Sequence, residues 1–218
     1  MAVITISREF GSGGRTIAEQ LAHKLRYQLV DKKKMSEVLI QYGFVEFQYE
    51  YDSEQGFWTR FDERRSEMIG MLNRVIQALA QHGNVVILGR GSYAVLGGFA
   101  DVLNVRVQAA LSTRTERVMT RYNLTDIEQA SRLVRKNDKI RTTFINAYYS
   151  IPWDATHAFD MVINTGKIFP DMAVDWLVEA TNALQAQCTD DLSTVKSISV
   201  DGVLAKVVTE VLDRQPVY

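Results

Sequence analysis

The chain has 218 residues, with 25 Lys and Arg against 26 Asp and Glu, so its formal net charge is −1. A hydrophobic content of 46% and a charged content of 23% mark a folded globular chain and exclude disordered and fibrous classes. Near neutrality likewise argues against a coat for nucleic acid or for an anionic membrane. The lone cysteine, Cys188, can form neither an internal disulfide nor a multi-cysteine zinc site, which points to a reducing, cytoplasmic setting. No run approaches the ~18 apolar residues of a membrane span, and Ala2–Ile6 reads as a strand rather than a signal peptide. The charge is unevenly spread. Residues 114–141 carry eight basic and four acidic side chains, whereas residues 154–213 carry three basic and ten acidic. A compact basic segment in a neutral chain indicates a local anion site.

Short β-rich runs alternate with longer helical patterns, the signature of a parallel α/β sheet covered on both faces. Strands are predicted at Val3–Ser7, Gln28–Val30, Asn84–Leu88, Asn104–Leu111 and Asp160–Asn164. Helices are predicted at Thr16–Leu25, Glu63–Gln81, Thr115–Tyr122, Ile127–Tyr148 and Asp171–Ala186. Two segments exceed plain connections: 32–83, with an aromatic stretch from Phe44 to Trp58, and 123–157, which holds a basic helix. Long excursions in a compact α/β domain are usually lids or binding modules. The expected division is a domain over 1–188 and a C-terminal extension over 189–218, with a strand at Val195–Val200 and a helix at Gly202–Leu212 opened by Asp201.

The strongest chemical signal is Ile6-Ser7-Arg8-Glu9-Phe10-Gly11-Ser12-Gly13-Gly14-Arg15-Thr16, between a strand and a helix. Glycines there let successive backbone N–H groups curl around a phosphate, and the helix N-terminus adds partial positive charge. Gly11, Ser12, Gly13 and Gly14 are the expected cradle. Thr16 stands where a P-loop hydroxyl reaches Mg²⁺. Aligning G-x-x-x-x-G-K-[ST] on Gly14-Arg15-Thr16 puts Arg15 at the lysine and Glu9 at the first glycine.

These residues resemble the cytidylate kinase-like family of P-loop nucleotide kinases. The resemblance continues through Val30-Asp31, Leu88-Gly89-Arg90-Gly91 and Arg135-Lys136-Asn137-Asp138-Lys139-Ile140-Arg141, and it closes at Phe159–Thr165. It implies a five-stranded parallel P-loop sheet with helices on both faces, a nucleoside monophosphate (NMP)-binding insertion and a helical lid. It also implies ATP as phosphoryl donor and a nucleoside monophosphate, CMP among them, as acceptor. Arg90 matches an arginine that contacts the acceptor, and Asn164-Thr165 matches the loop near the donor's adenine. Two departures accompany the likeness. Aligned from Ile4 without a gap, the P-loop lysine falls on Gly14, and an Asp-Gly-Arg-Asp segment reads Leu88-Gly89-Arg90-Gly91.

Phosphoryl transfer needs in-line positioning and charge stabilisation rather than covalent work, and arginines on a lid suit it. Arg135, Asp138 and Arg141 recur along one helix face, with Arg132 a turn earlier. Arg132, Arg135 and Arg141 are the expected transition-state cations. Asp138 orients one of them or holds the acceptor. An ordinary solvated face with i,i+4 ion pairs is the competing reading of that helix. Arg114, Arg117 and Arg121 read as surface or hinge residues. Phe57, Trp58 and Arg60 either stack a base and hold the acceptor phosphate or form a satellite core. Asp31 either touches the acceptor, directly or through Mg²⁺-bound water, or caps the helix that follows. Lys32-Lys33-Lys34 reads as a solvated turn. The reading as a whole is an ATP- and Mg²⁺-dependent nucleoside monophosphate kinase, with small nucleotides and neither nucleic acid nor membrane as partners. The competing readings are a catalytically weak nucleotide-binding regulator and a kinase of another small metabolite.

Overall fold

The computed structural model describes residues 2–44, 62–187 and 192–214. Five strands form one parallel sheet: β1 (Val3–Arg8), β2 (Gln28–Val30), β3 (Val85–Leu88), β4 (Val102–Gln108) and β5 (Met161–Asn164), in the order β2-β3-β1-β4-β5. β1 is central, pairing Val3–Ile6 with Val85–Leu88 on one side and Val3–Arg8 with Val102–Val107 on the other. Its near-continuous apolar run is what a strand covered on both faces requires, and Val3, Ile4 and Ile6 are fully buried. A buried hydrogen bond from Thr5 Oγ1 to Asn104 Oδ1 (2.7 Å) ties it to β4.

Two cores flank the sheet. On one face, α1 (Gly14–Leu25) and α7 (Pro170–Gln187) bury Ile17, Leu21, Val174 and Leu177 against Ile4, Ile6, Val86 and Val105. On the other, α2 (Lys32–Gln41), α3 (Asp62–His82), α4 (Ser92–Leu96) and α8 (Gly202–Asp213) bury Met35, Leu72, Ile76, Leu96 and Leu212 against Val3, Val30, Val85 and Ile87. Two further helices, α5 (Leu111–Tyr122) and α6 (Ile127–Tyr149), form a hairpin beyond the C-terminal ends of the strands. Val118, Ala130 and Val134 make a small core between them, while Phe144 and Ile145 carry the far end of α6 into the larger core.

The α/β architecture with its five parallel strands matches expectation, and three local readings change. β4 ends at Gln108, and α5 begins at Leu111, four residues before the expected Thr115; the buried Arg114 already donates its N–H to Ala110 O inside that helix. Val195–Val200 joins no sheet: Val195–Ser197 is a 3₁₀ turn whose Val195 N–H bonds the buried Asp101 carboxylate (2.9 Å). Lys32–Lys34 forms the first turn of α2, with Lys32 and Lys33 exposed as expected and Lys34 not. There Lys34 is buried against Gln28, and burial lowers its pKa. Asp201 caps α8 as expected, accepting from Val203 and Leu204 N–H and lying below the usual carboxylate range through those bonds and one from Tyr42. Leu204, Val207, Val208, Val211 and Leu212 then seat α8 on α2 and α3 in the larger core. Among the described residues no helix is long and apolar enough to cross a membrane.

Candidate active site

Immediately after β1 the backbone turns through Gly11 (φ +81°) and Gly13 (φ +80°), left-handed conformations that cost a side-chain-bearing residue about 1–2 kcal/mol. Space enforces the same choice at Gly11, where an added Cβ would sit 2.8 Å from the Arg114 carbonyl oxygen. Ser12 is buried, and both its N–H and its hydroxyl bond the Glu9 carbonyl (3.3 and 2.9 Å). Gly13 caps α1 without any side-chain hydrogen bond. The first-turn amides at Gly14, Arg15 and Thr16 therefore stay available, at the positive end of the helix, to an anion. Thr16 is exposed in that turn. A cavity of about 380 Å³ lies over the loop, walled by Gly11, Gly13, Gly14, Thr16, Arg8, Arg117, Arg121 and Arg141.

The loop is locked from two sides. On α6, Asp138 accepts from the Phe10 N–H (2.8 Å), from Arg114 Nη1 (2.5 Å) and from Arg141 Nη1 (3.4 Å). Arg114 is itself buried, bonds the carbonyls of Ala109 and Phe10, and lies 3.3 Å from Glu9. Glu9 takes the Ala109 N–H as well. At the other side Thr165 donates to the Ser12 carbonyl (2.6 Å) and accepts from Arg117 Nη1 (2.9 Å). Arg114 and Arg117 are thus buried or half-buried fasteners of the glycine loop, which corrects their reading as surface or hinge residues.

A second turn faces the first. Gly89, Arg90 and Gly91 are all left-handed (φ +82°, +60°, +72°), and such strain on a non-glycine residue clusters at ligand sites. Beside them is a cavity of about 60 Å³, lined by Arg8, Arg90, Tyr93, Arg141, Phe144 and Trp153 among others. The Tyr93 hydroxyl is buried there and lacks a hydrogen-bond partner among the described residues; burial pushes its pKa up to about 12. Burial also lowers the Arg141 pKa, partly offset by Asp138 and reinforced by Arg90. Behind the cavity, Arg106 is buried, donates to the Trp153 carbonyl (2.6 Å) and stacks over the Trp153 ring at 4.6 Å.

The structure therefore brings Gly11–Gly14, Thr16, Arg90, Asp138 and Arg141 together, and other expected residues lie differently. Arg15 turns to Glu19 (2.8 Å) and Asp31 (3.1 Å), and its pKa is raised chiefly by the hydrogen bond to Glu19. It borders both the loop cavity and a larger groove of about 960 Å³ along α1, α2 and α7, a groove that among the described residues shares only Arg15 with the loop cavity. Asp31 caps α2 by accepting from Lys33 and Lys34 N–H. Arg132 is exposed and paired with Asp126 and Glu128, the solvated-face arrangement, and Arg135 is exposed on the same helix. Neither borders the two cavities. Asn164 shapes its own turn by accepting from Gly166 N–H, while Thr165 serves as the loop fastener. Arg60, Phe57 and Trp58 lie outside the described residues. Sequence reasoning passed over Arg8, Glu9, Arg106 and Tyr93. Arg8 and Glu9 stand inside the glycine-loop motif, so the signal was present and was spent on the glycines.

Residues 3–167 match the cytidylate kinase-like family. The cytidylate kinase of Pyrobaculum calidifontis is 25% identical over 168 residues, covering 77% of this chain and 86% of that one. The cytidylate kinase of Halobacterium salinarum is 22% identical over 197 residues, covering 90% and 97%. A crystal structure of an uncharacterized protein from Eubacterium ventriosum superposes with a TM-score of 0.67 at 25% identity, over 84% of this chain and 99% of the other. With a family match spanning the glycine loop, the Gly89–Gly91 turn and α6, on a five-stranded parallel sheet, the chain is a phosphotransferase and belongs to the cytidylate kinase-like family.

Proposed function

We propose that the chain transfers the γ-phosphoryl group of ATP to a nucleoside monophosphate, with CMP the first candidate. The observation that carries this reading is the pair of adjoining cavities: one over the glycine loop, the other under the Gly89–Gly91 turn, both walled by arginines. In the first, the amides of the Gly11–Gly14 loop and of Arg15 and Thr16 hold the donor phosphates, and the loop of Asn164 and Thr165 borders the donor's base. Into the second, Arg90 and Arg141 bring positive charge for the acceptor phosphate. The residues fit a metal that arrives with its nucleotide. Thr16 offers one exposed hydroxyl, and the described residues hold no cluster of three or more His, Cys, Asp or Glu that would bind an ion by itself. Mg²⁺ would then take the Thr16 hydroxyl and phosphate oxygens as ligands and supply charge neutralisation on the donor phosphates.

This chain's own contribution is positional. Asp138 fixes the lid helix on the loop and aims Arg141, so that the cation is in place before the phosphates meet. The Phe144, Tyr149 and Trp153 side chains of the lid region crowd the acceptor turn and limit water there. No general base is needed, because the acceptor phosphate is already an anion.

ADP release, coupled to a spectrophotometric readout, tests the reading across CMP, dCMP, UMP, AMP and GMP. Turnover with at least one of them, strongest with CMP or dCMP, is expected. ATP binding without turnover on any acceptor would contradict the proposal and favour a regulatory nucleotide-binding role.

A further inference from the structure

A phosphate loop without a lysine must find its cation elsewhere, and the packing around two glycines identifies where. Aligned without a gap, the lysine position is Gly14. A Cβ added there would lie 2.7 Å from Arg8 Cβ, 3.1 Å from Arg8 Cγ and 3.3 Å from Val107 Cβ. The side chain of Arg8 fills the space that a lysine stem at position 14 would start from. The next residue, Arg15, is exposed and spends its guanidinium on Glu19 and Asp31.

Arg8 does not stop at Gly14. Its Nη1 lies 2.0 Å, and its Cζ 3.2 Å, from where a Cβ on Gly89 would stand. The side chain thus spans from the donor loop to the left-handed turn that carries Arg90, with a glycine making room at each end. Its backbone is held in the sheet, in register with Val107 of β4, so the half-buried side chain leaves from a rigid base. Among the described residues lining the two cavities, Arg8 and Arg141 alone line both. Arg141 reaches them from the lid helix, Arg8 from the central strand.

We propose that Arg8 replaces the P-loop lysine: its guanidinium contacts the γ-phosphoryl group where the donor and acceptor cavities meet. The inference rests on the kinase reading above. In the transfer an acceptor phosphate oxygen forms a new bond to the γ-phosphorus as the bond from that phosphorus to the β–γ bridging oxygen breaks. The electron pair stays with ADP, and no proton moves. Negative charge spreads over the equatorial oxygens of the group in flight. A planar fork meets two such oxygens with two parallel N–H bonds in a fixed geometry, whereas an ammonium acts as a point charge. Gly14 and Gly89 then follow from the same choice, since a side chain at either would displace the arginine.

Calorimetric titration of ATP and of ADP into the wild-type chain and Arg8→Met tests the claim. Methionine keeps an apolar stem against Gly14 and removes the charge. Affinity for ATP should fall about 10- to 100-fold, the loss of a charge-assisted contact, while affinity for ADP, which lacks the γ-phosphoryl group, changes less than about twofold. Labelling of arginines in the wild-type chain with phenylglyoxal, located by mass spectrometry, needs no variant: ATP should protect Arg8 and ADP should not. If the wild-type chain binds ATP but Arg8→Met binds it equally well, or if ATP leaves Arg8 unprotected, the Arg8 assignment is overturned and the kinase reading stands. If the wild-type chain binds no ATP, the kinase reading itself fails and takes the assignment with it.

Discussion

Asp138 accepts hydrogen bonds from the phosphate loop, from α5 and from its own helix at once, through Phe10, Arg114 and Arg141. Removing it leaves a buried guanidinium with a weaker partner, Glu9 at 3.3 Å. Breaking a buried pair costs about 3–5 kcal/mol, and the remaining carboxylate puts Asp138→Ala near or just below that range, at about 3 kcal/mol. Urea denaturation measures it. Tyr93 makes the opposite case. Its hydroxyl is buried without a partner among the described residues, so Tyr93→Phe should leave stability unchanged or raise it by up to about 1 kcal/mol. Its pKa sign is clear too. Burial holds the phenol up to about 12 when folded, well above the ordinary tyrosine range, so it keeps its proton in the fold and loses it more readily in the unfolded chain. The stabilisation is therefore complete below pH 10 and is lost as pH rises toward 12. Denaturation midpoints taken from pH 9 to 11 should fall more steeply in wild type than in Tyr93→Phe.

Elements were legible in proportion to their periodicity. β1, α1, α6 and α7 carry long apolar patterns or strong caps, and their observed bounds lie within two residues of expectation. Val195–Val200 has the β-branched residues of a strand, but both sheet edges are already set by β2 and β5, so its leading valine packs under α3 and its amide goes to Asp101. The boundary between β4 and α5 was hidden because Leu111 suits either element, and only the buried Arg114 decides it. The tail helix α8 contributes core rather than decoration. Leu212 is fully buried, so Leu212→Ala should cost about 3 kcal/mol, again read by urea denaturation. The glycine loop responds differently to change. Gly11→Ala meets both a left-handed φ and a carbonyl oxygen at 2.8 Å, so it should cost about 2 kcal/mol or more and reduce ATP binding in the same titration.

Across the whole molecule, the near-zero net charge conceals one concentrated arginine site. Arg8, Arg90, Arg117, Arg121 and Arg141 line the two cavities, while Glu9 and Asp138 balance Arg114 beneath them. The composition of 114–141 pointed to a local anion site, and the glycine motif pointed to the turn after β1. Neither separated the arginines that line the cavities from the solvated ones. Arg132 and Arg141 sit nine residues apart on one helix, yet one pairs with exposed carboxylates and the other turns into the cavities, a difference set by which helix face docks on α5. The central claim is that these cavities pass a phosphoryl group between two nucleotides. Incubation of the wild-type chain with γ-labelled ATP, Mg²⁺ and CMP tests it most directly. The account predicts label in CDP; label that stays in ATP, with CMP and with each of dCMP, UMP, AMP and GMP, would contradict it.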